Sequence, residues 1–330
     1  MDFAFLTEEF MSKPIWMWFV FAFLILGLLI LDLGVMHRKE HEVQFKESLI
    51  LCTFYTSIAL LFGGWIWYEL GAGKFAEYLT GYIVEETLSI DNVFVIALLF
   101  SFFHIPRLYQ HRVLFWGILG AIVMRGIMIT VGAALVHQFE WVLHLFAAFL
   151  VLTGIKMLIS SDKPADLGEN AALKFIRNHF RITDGLRGNH FFVKEPSRKK
   201  GKKVWWMTPL FVCLIMIELA DVVFAVDSVP AIFMITTDPF IVYTSNIFAI
   251  MGLRSLYFVL AAVIQRFHYL KYALSVVLIF IGSKSFIAYL AGWEKFPIAL
   301  SLGITFGILG SGIAFSLWKT KKSARSVKTV

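Results

Sequence analysis

Cysteine is nearly absent: Cys52 and Cys213 are the only two in 330 residues. That excludes a disulfide framework and a cysteine-built metal cluster, and both are expected as free thiols near the cytoplasmic ends of apolar runs. Histidine is scarce where it would matter. Of nine, only His144 falls inside an apolar run. His37 and His41 have i, i+4 spacing but no third ligand nearby, so a solvated pair is the simpler reading. Charge is thin, at 16% of residues against 59% hydrophobic. No soluble domain of this length needs so much apolar surface. A cleavable signal is missing too: the first apolar run is too long, and its basic flank, Arg38 and Lys39, follows it instead of preceding it.

What is present is a series of runs long enough to cross a bilayer, which takes about 20 apolar residues. There are nine, at roughly 15–34, 49–69, 81–103, 111–136, 139–160, 206–236, 240–264, 271–291 and 296–318. They predict an all-α polytopic membrane protein of about nine transmembrane helices. The net charge of +7 invites a nucleic-acid reading, which the positions of the charges do not support. Assigning alternate gaps to the cytoplasm places 23 of the 30 Lys and Arg residues there and only Lys13, Lys74 and Lys295 on the other side. This is the positive-inside pattern, and it predicts an N-terminus outside and a C-terminus inside the bacterial inner membrane. "SRKKGKK" (197–203) and "KTKKSAR" (319–325) then read as topology anchors that meet anionic lipid, not nucleic acid.

The chain divides into spans one and two (1–80), a first three-span unit (81–160), a basic cytoplasmic linker (161–205), a second three-span unit (206–291), and span nine with a basic tail (292–330). The linker holds one short amphipathic helix within "AALKFIRNHFRI" and no separate soluble domain.

Ten ionisable residues remain inside spans: Arg125, Lys156, Arg254 and Lys284, with Glu85, Glu86, Asp91, Glu218, Asp221 and Asp227; Asp32 lies at the margin of the first span. Buried pairs locking helices together would be the bland explanation, but intramembrane charges mark function by default. Their order repeats. "EETLSIDNVF" aligns with "LADVVFAVDSVP", so Asp91 matches Asp227, Glu85 matches Asp221 and Asn92 matches Ser228. Onward, Arg125 matches Arg254, and Lys156 in "VLTGIKML" matches Lys284 in "LIFIGSKSF". Three is an odd number of spans, so spans 3–5 and 6–8 form an inverted repeat, the construction many transporters use to alternate access around a midplane site.

"SIDNVFVI", "ELADVVFAVDSVPAIF" and "TTDPFIVYTSNIFAIMGLRSLYF" resemble the TerC family, and "LDLGV" (31–35) and "HFFVKE" (190–195) fit it as well. The resemblance is to its long, nine-span branch and covers nearly the whole chain. It implies an inner-membrane protein of the LysE-type transporter superfamily, linked to manganese export and named for tellurite resistance. Residue by residue it implies a metal-binding polar core of Glu85, Asp91, Asn92, Glu218, Asp221 and Asp227, with Arg125, Lys156, Arg254 and Lys284 as supporting charges. Glu86 departs from the family pattern and reads as a rim charge.

The residues alone point the same way. Carboxylates and one amide suit hard divalent cations such as Mn²⁺, Mg²⁺ or Ca²⁺, and the lack of Cys and His argues against Cu⁺ and Zn²⁺. Met124, Met216, Met234 and Met251 lie near this core, where methionine is more often packing than ligand. At 100° per residue, Glu85, Ser89 and Asn92 share one face of span three, and Asp221 and Ser228 share the equivalent face of span six. Asp91 and Asp227 stand about 120° away. Either they pair with Arg125 and Arg254 or the helices unwind, and Pro230 favours a break just after Asp227.

The function expected is a divalent-cation transporter, a manganese exporter with Mn²⁺ as its transported substrate, protons as a candidate coupling ion and no organic cofactor. The alternative is a non-transporting membrane partner in metal delivery or tellurite resistance. An enzyme is not expected: an intramembrane aspartyl protease would use two aspartates, but four further carboxylates and buried bases do not suit one. The topology is testable. In a chain lacking Cys52 and Cys213, an Asn189→Cys variant is expected to resist membrane-impermeant maleimide in intact cells and to react in inverted vesicles. Labelling in intact cells would reverse the assignment.

Overall fold

The structure, a computed structural model, describes residues 8–11, 13–32, 45–139, 141–159, 171–196, 203–261, 270–290 and 296–326. His37 and His41 and most of the basic run 197–203 lie outside them. Among the described residues each of the nine apolar runs lies mainly on helix. A small hairpin, β1 (Glu9–Phe10) with β2 (Lys13–Pro14), leads into α1 (Ile15–Leu31). Then come α2 (Phe45–Phe102), α3 (Arg107–Gln138), α4 (Trp141–Ile159), the short α5 (Ala171–His179), α6 (Pro209–Phe233), α7 (Pro239–Ala261), α8 (Leu270–Leu290) and α9 (Ile298–Ser326). Among the described residues, α2, α3, α4 and α6 are long and apolar enough to cross a membrane, and α1, α8 and α9 contain shorter apolar stretches.

Spans two and three are the two arms of α2, folded back on each other at Gly71. There φ is 85° and ψ 172°, open to glycine and strained for other residues. In an unbroken helix Ala59 and Tyr78 would stand about 28 Å apart at 1.5 Å per residue. Instead the Tyr78 hydroxyl donates to the Ala59 carbonyl at 2.9 Å, and Trp67 stacks on Phe75. The hairpin packs on α1 and α7 through Phe21, Phe62, Phe240 and Phe248.

α7 starts where "TTDPF" says it should. Asp238 accepts a hydrogen bond from the Phe240 amide and Pro239 takes the first helical position, where a missing N–H costs nothing. The same aspartate anchors a charged clamp. Lys13 Nζ lies 3.0 Å and Lys74 Nζ 3.4 Å from Asp238 Oδ2, while Lys74 also meets Glu77 at 2.7 Å and Thr236 donates to Glu77 at 2.5 Å. The N-terminal hairpin, the bend of α2 and the α6–α7 connection are thus tied at one end of the bundle.

The linker differs from expectation. After α5, strands β3 (Phe192–Pro196) and β4 (Lys203–Met207) pair antiparallel, with Val193 opposite Trp206. Trp206 and Met207, expected at the start of span six, therefore belong to a strand, and α6 begins at Pro209. Their apolar character is that of a hairpin lying on the protein, with Lys194 over the Trp205 ring at 4.7 Å. The expected break after Asp227 is absent: α6 runs through Pro230 to Phe233. A proline this near a helix end removes only one late hydrogen bond, and the turn closes through the Met234 amide to the Pro230 carbonyl at 3.1 Å.

α4 and α8 cross through glycine. A Cβ at Gly154 would meet the Ser275 carbonyl at 2.8 Å and Ile279 Cγ1 at 2.7 Å; a Cβ at Gly282 would meet the Ala147 carbonyl at 2.5 Å and Val151 Cγ2 at 2.9 Å. The offset that carries Lys156 onto Lys284 carries Gly154 onto Gly282, Ala147 onto Ser275 and Val151 onto Ile279. Each contact thus has a counterpart with the roles of the helices exchanged, as when two antiparallel helices cross near their midpoints. Small residues at membrane-helix crossings allow this approach. Gly154→Leu and Gly282→Leu should each cost about 1–3 kcal/mol or more from overpacking. Both should lower the unfolding temperature in detergent, while Gly303→Leu, with open space around its α-carbon, should not.

Candidate metal site

The buried centre is organised by Arg125 on α3, 1% exposed. Three other helices bring acceptors to it. Glu85, from the second arm of α2, pairs with its Nη1. Ser228 of α6 and Asn246 of α7 accept from Nη1 at 3.0 and 3.2 Å, and Asp221 of α6 accepts from Nη2 at 3.3 Å. Asn92, two turns along from Glu85, donates its Nδ2 to Asp221 Oδ1 at 3.3 Å. The face expected from helical spacing is the one that converges: Glu85 and Asn92 from one helix, Asp221 and Ser228 from the other.

The centre is not fully satisfied. Asp221 Oδ2, Asn92 Oδ1, Ser89 Oγ and Arg125 Nε are buried without a hydrogen-bond partner among the described residues. Orphaned buried oxygens are costly, about 1–3 kcal/mol each, and mark a place for water or an ion. Asn92 and Asp221 line a cavity of about 20 Å³, room for roughly one water-sized centre. Ala121, Phe224 and Leu253 supply apolar wall, and Arg254 is its other polar boundary. Of the polar residues lining it, Asn92 and Asp221 bring an amide and a carboxylate, hard-oxygen chemistry, to a wall that is otherwise mostly apolar. None of Met124, Met216, Met234 and Met251 lines it; Met216 and Met251 pack in apolar clusters.

The remaining predicted residues separate. Glu218, one turn before Asp221, lies against Gly120 of α3, where a Cβ would fall on its carboxylate. Positions 91 and 227 sit in regular helix, so the turn of about 120° from Glu85 and Asp221 holds; their side chains lie outside the described residues. Among the described side chains, the two arginines find other acids. Arg125 takes Glu85 and Asp221, and Arg254 takes Asp32 of α1. Because neither helix unwinds, the residues one heptad apart face the arginine, and Asp91 and Asp227 start from another face. Glu86 is turned toward Gly252 of α7, 3.6 Å from a Cβ there, half-buried and with its Oε2 enclosed; it faces a neighbouring helix, not the rim expected. Lys284 is buried while Lys156 is exposed. Among the described residues no group of three or more His, Cys, Asp or Glu forms a metal cluster.

Three contributors escaped the sequence. Asn246 carries no charge; its one signal is a lone amide in the apolar run "IVYTSNIFAI". His111, placed in a loop flank, accepts from Arg254 at 3.0 Å through Nε2. Tyr55 donates to Asp32 at 3.2 Å. Arg254→Met, which removes the guanidinium from Asp32, should destabilise the detergent-solubilised protein by about 3–5 kcal/mol. Arg254→Met with Asp32→Asn should cost less than the sum of the two single changes, a coupling that a double-mutant cycle in thermal unfolding would read.

Comparison with known proteins places this geometry. Residues 70–324 match the family described as Integral membrane protein TerC family. The chain is 44% identical over 310 residues to STKORF319, a membrane protein of Myxococcus xanthus, covering 94% of each chain. It is 46% identical over 300 residues to a membrane protein of Rickettsia bellii, covering 91% of this chain and 96% of that one. It is also 44% identical over 311 residues to Alx of Salmonella typhi, described as a candidate membrane-bound redox modulator, covering 92% of this chain and 94% of Alx. No solved structure matches.

Proposed function

The chain belongs to the TerC family of integral membrane proteins, and we propose that it is a divalent-cation transporter whose substrate is Mn²⁺, exported from the cytoplasm through the Glu85–Asn92–Asp221 centre. The observation that carries this reading is the pair of unpartnered oxygens, Asp221 Oδ2 and Asn92 Oδ1, beside a cavity the size of one ion or water. A hard cation would complete both, and the surrounding apolar wall would strengthen its attraction to the carboxylates. Asp91, Asp227 and Glu218 complete the acidic set along the same two helices. Nothing in the centre calls for covalent chemistry, so the role is transport and not catalysis.

Alternating access between two inverted units, spans 3–5 and 6–8, is the mechanism this reading carries. Its support is the alignment of the charged positions and the exchange of contacts across the α4–α8 crossing. The charge split supports an inner-membrane orientation with the N-terminus outside.

Losing one anionic partner of a buried cation costs about 3–5 kcal/mol, more than a hundredfold in affinity at about 1.4 kcal/mol per decade. Asp221→Asn, Asp91→Asn and Asp227→Asn should therefore abolish Mn²⁺ efflux from manganese-loaded cells at normal membrane levels. Normal efflux through all three would show that these acids hold helices together and carry no ion. Mn²⁺ flux into proteoliposomes of the purified protein, with Mg²⁺ and Ca²⁺ as competitors, separates a transporter from a metal-delivery partner, which needs no vectorial movement.

A further inference from the structure

Arg125 sits where a transported cation would most want to be. Its guanidinium neutralises Glu85 and Asp221 together and takes the side-chain oxygens of Ser228 and Asn246 as well. These acceptors come from three helices besides its own, so the group bridges what the sequence reads as two repeat units. A permanently structural guanidinium of this kind is normally saturated: five N–H donors in a rigid fork, each with an acceptor. Here the fit is incomplete on both sides. Among the described residues Arg125 Nε has no acceptor, and Asp221, one of the two acids it holds, keeps Oδ2 without a donor. Asp221 and Asn92, each with an open oxygen, both line the cavity.

We infer that Arg125 is a tethered counter-cation that occupies the acids of the empty carrier and is displaced from Asp221 when a divalent metal binds, a role that rests on the cation-transport reading above. Two uncompensated carboxylates in the bilayer interior would resist any rearrangement of the empty protein. The guanidinium removes that barrier and lets the unloaded centre change its accessibility. When the metal arrives, like-charge repulsion and competition for Asp221 drive the guanidinium off its α6 and α7 acceptors and onto Glu85. Arg125 therefore lowers metal affinity and raises turnover. It is a positioning residue and never a ligand.

A group that merely holds the helices together would, on removal, weaken binding and flux alike. A competing counter-cation predicts opposite signs. With full-length protein in detergent and Mn²⁺ alone as probe, the electron paramagnetic resonance signal of free Mn²⁺ gives the dissociation constant. Arg125→Gln should bind Mn²⁺ at least tenfold more tightly than the wild type and show at least tenfold slower flux in proteoliposomes. Arg125→Lys, which keeps the charge, should stay within about threefold of wild-type affinity. If Arg125→Gln fails to accumulate in the membrane, Asn246→Ala carries the test: it loosens the guanidinium's seat without touching a candidate ligand, and should tighten binding severalfold. Unchanged or weaker binding in whichever of the two is measured overturns the inference while leaving wild-type transport intact, as does tenfold tighter binding by Arg125→Lys. Absence of Mn²⁺ binding by the wild type overturns the transport reading itself, and the inference with it.

Discussion

The centre of this protein depends on one guanidinium. A positive charge at 1% exposure survives in hydrocarbon only if acceptors converge on it, and here α2 and α7 each send one and α6 sends two. Removing a single member of such a set leaves a buried charge without its counterpart, a penalty of several kcal/mol. The packing of α3 against α6 and α7 is therefore fixed by electrostatics as much as by shape, in a medium where apolar side chains gain little by meeting one another rather than lipid. The apolar clusters lie around this polar axis, with Ile118 and Ala121 on one side of α3 and Val113 and Leu114 further along.

The second arginine shows how the same sequence position can be put to different use. Arg254 aligns with Arg125, but it reaches Asp32 at the end of α1, with His111 and Tyr55 completing the group. α1 precedes the aligned segments of sequence, and its acid pairs with Arg254 in place of the relation that Arg125 has with Glu85 and Asp221. Arg254 still borders the cavity. One cation thus holds the acids while the other forms part of the wall beside them, held by a helix outside the aligned segments.

The apolar runs could be read directly because length and hydrophobicity leave a helix as the main way to satisfy every backbone group in lipid. Facing was legible for the same reason: with α2 and α6 regular, Glu85 with Asn92 and Asp221 with Ser228 had to share sides. Partner choice was not. That Arg125 pairs with Glu85 and Asp221 follows only from the three-dimensional path of α3. Asn246 was invisible because a neutral amide leaves no trace in a charge pattern. Trp206 and Met207 misled because an apolar pair before a span looks the same whether it continues a helix or closes a strand pair.

The clamp of Lys13, Lys74, Glu77 and Asp238 uses the same chemistry as the Arg125 centre in a different medium. The Lys74 side chain is 33% exposed and the Asp238 side chain 7%, so dissolved ions approach the clamp, whereas they do not reach the 1% exposed guanidinium of Arg125. At physiological ionic strength the screening length is about 8 Å, comparable to the dimensions of the clamp. Electrolyte in the surrounding fluid therefore weakens the tie between the N-terminal hairpin and the α6–α7 connection while leaving the buried ion pairs at full strength. The molecule has one set of charges that feels the composition of its bath and another that feels only its own fold.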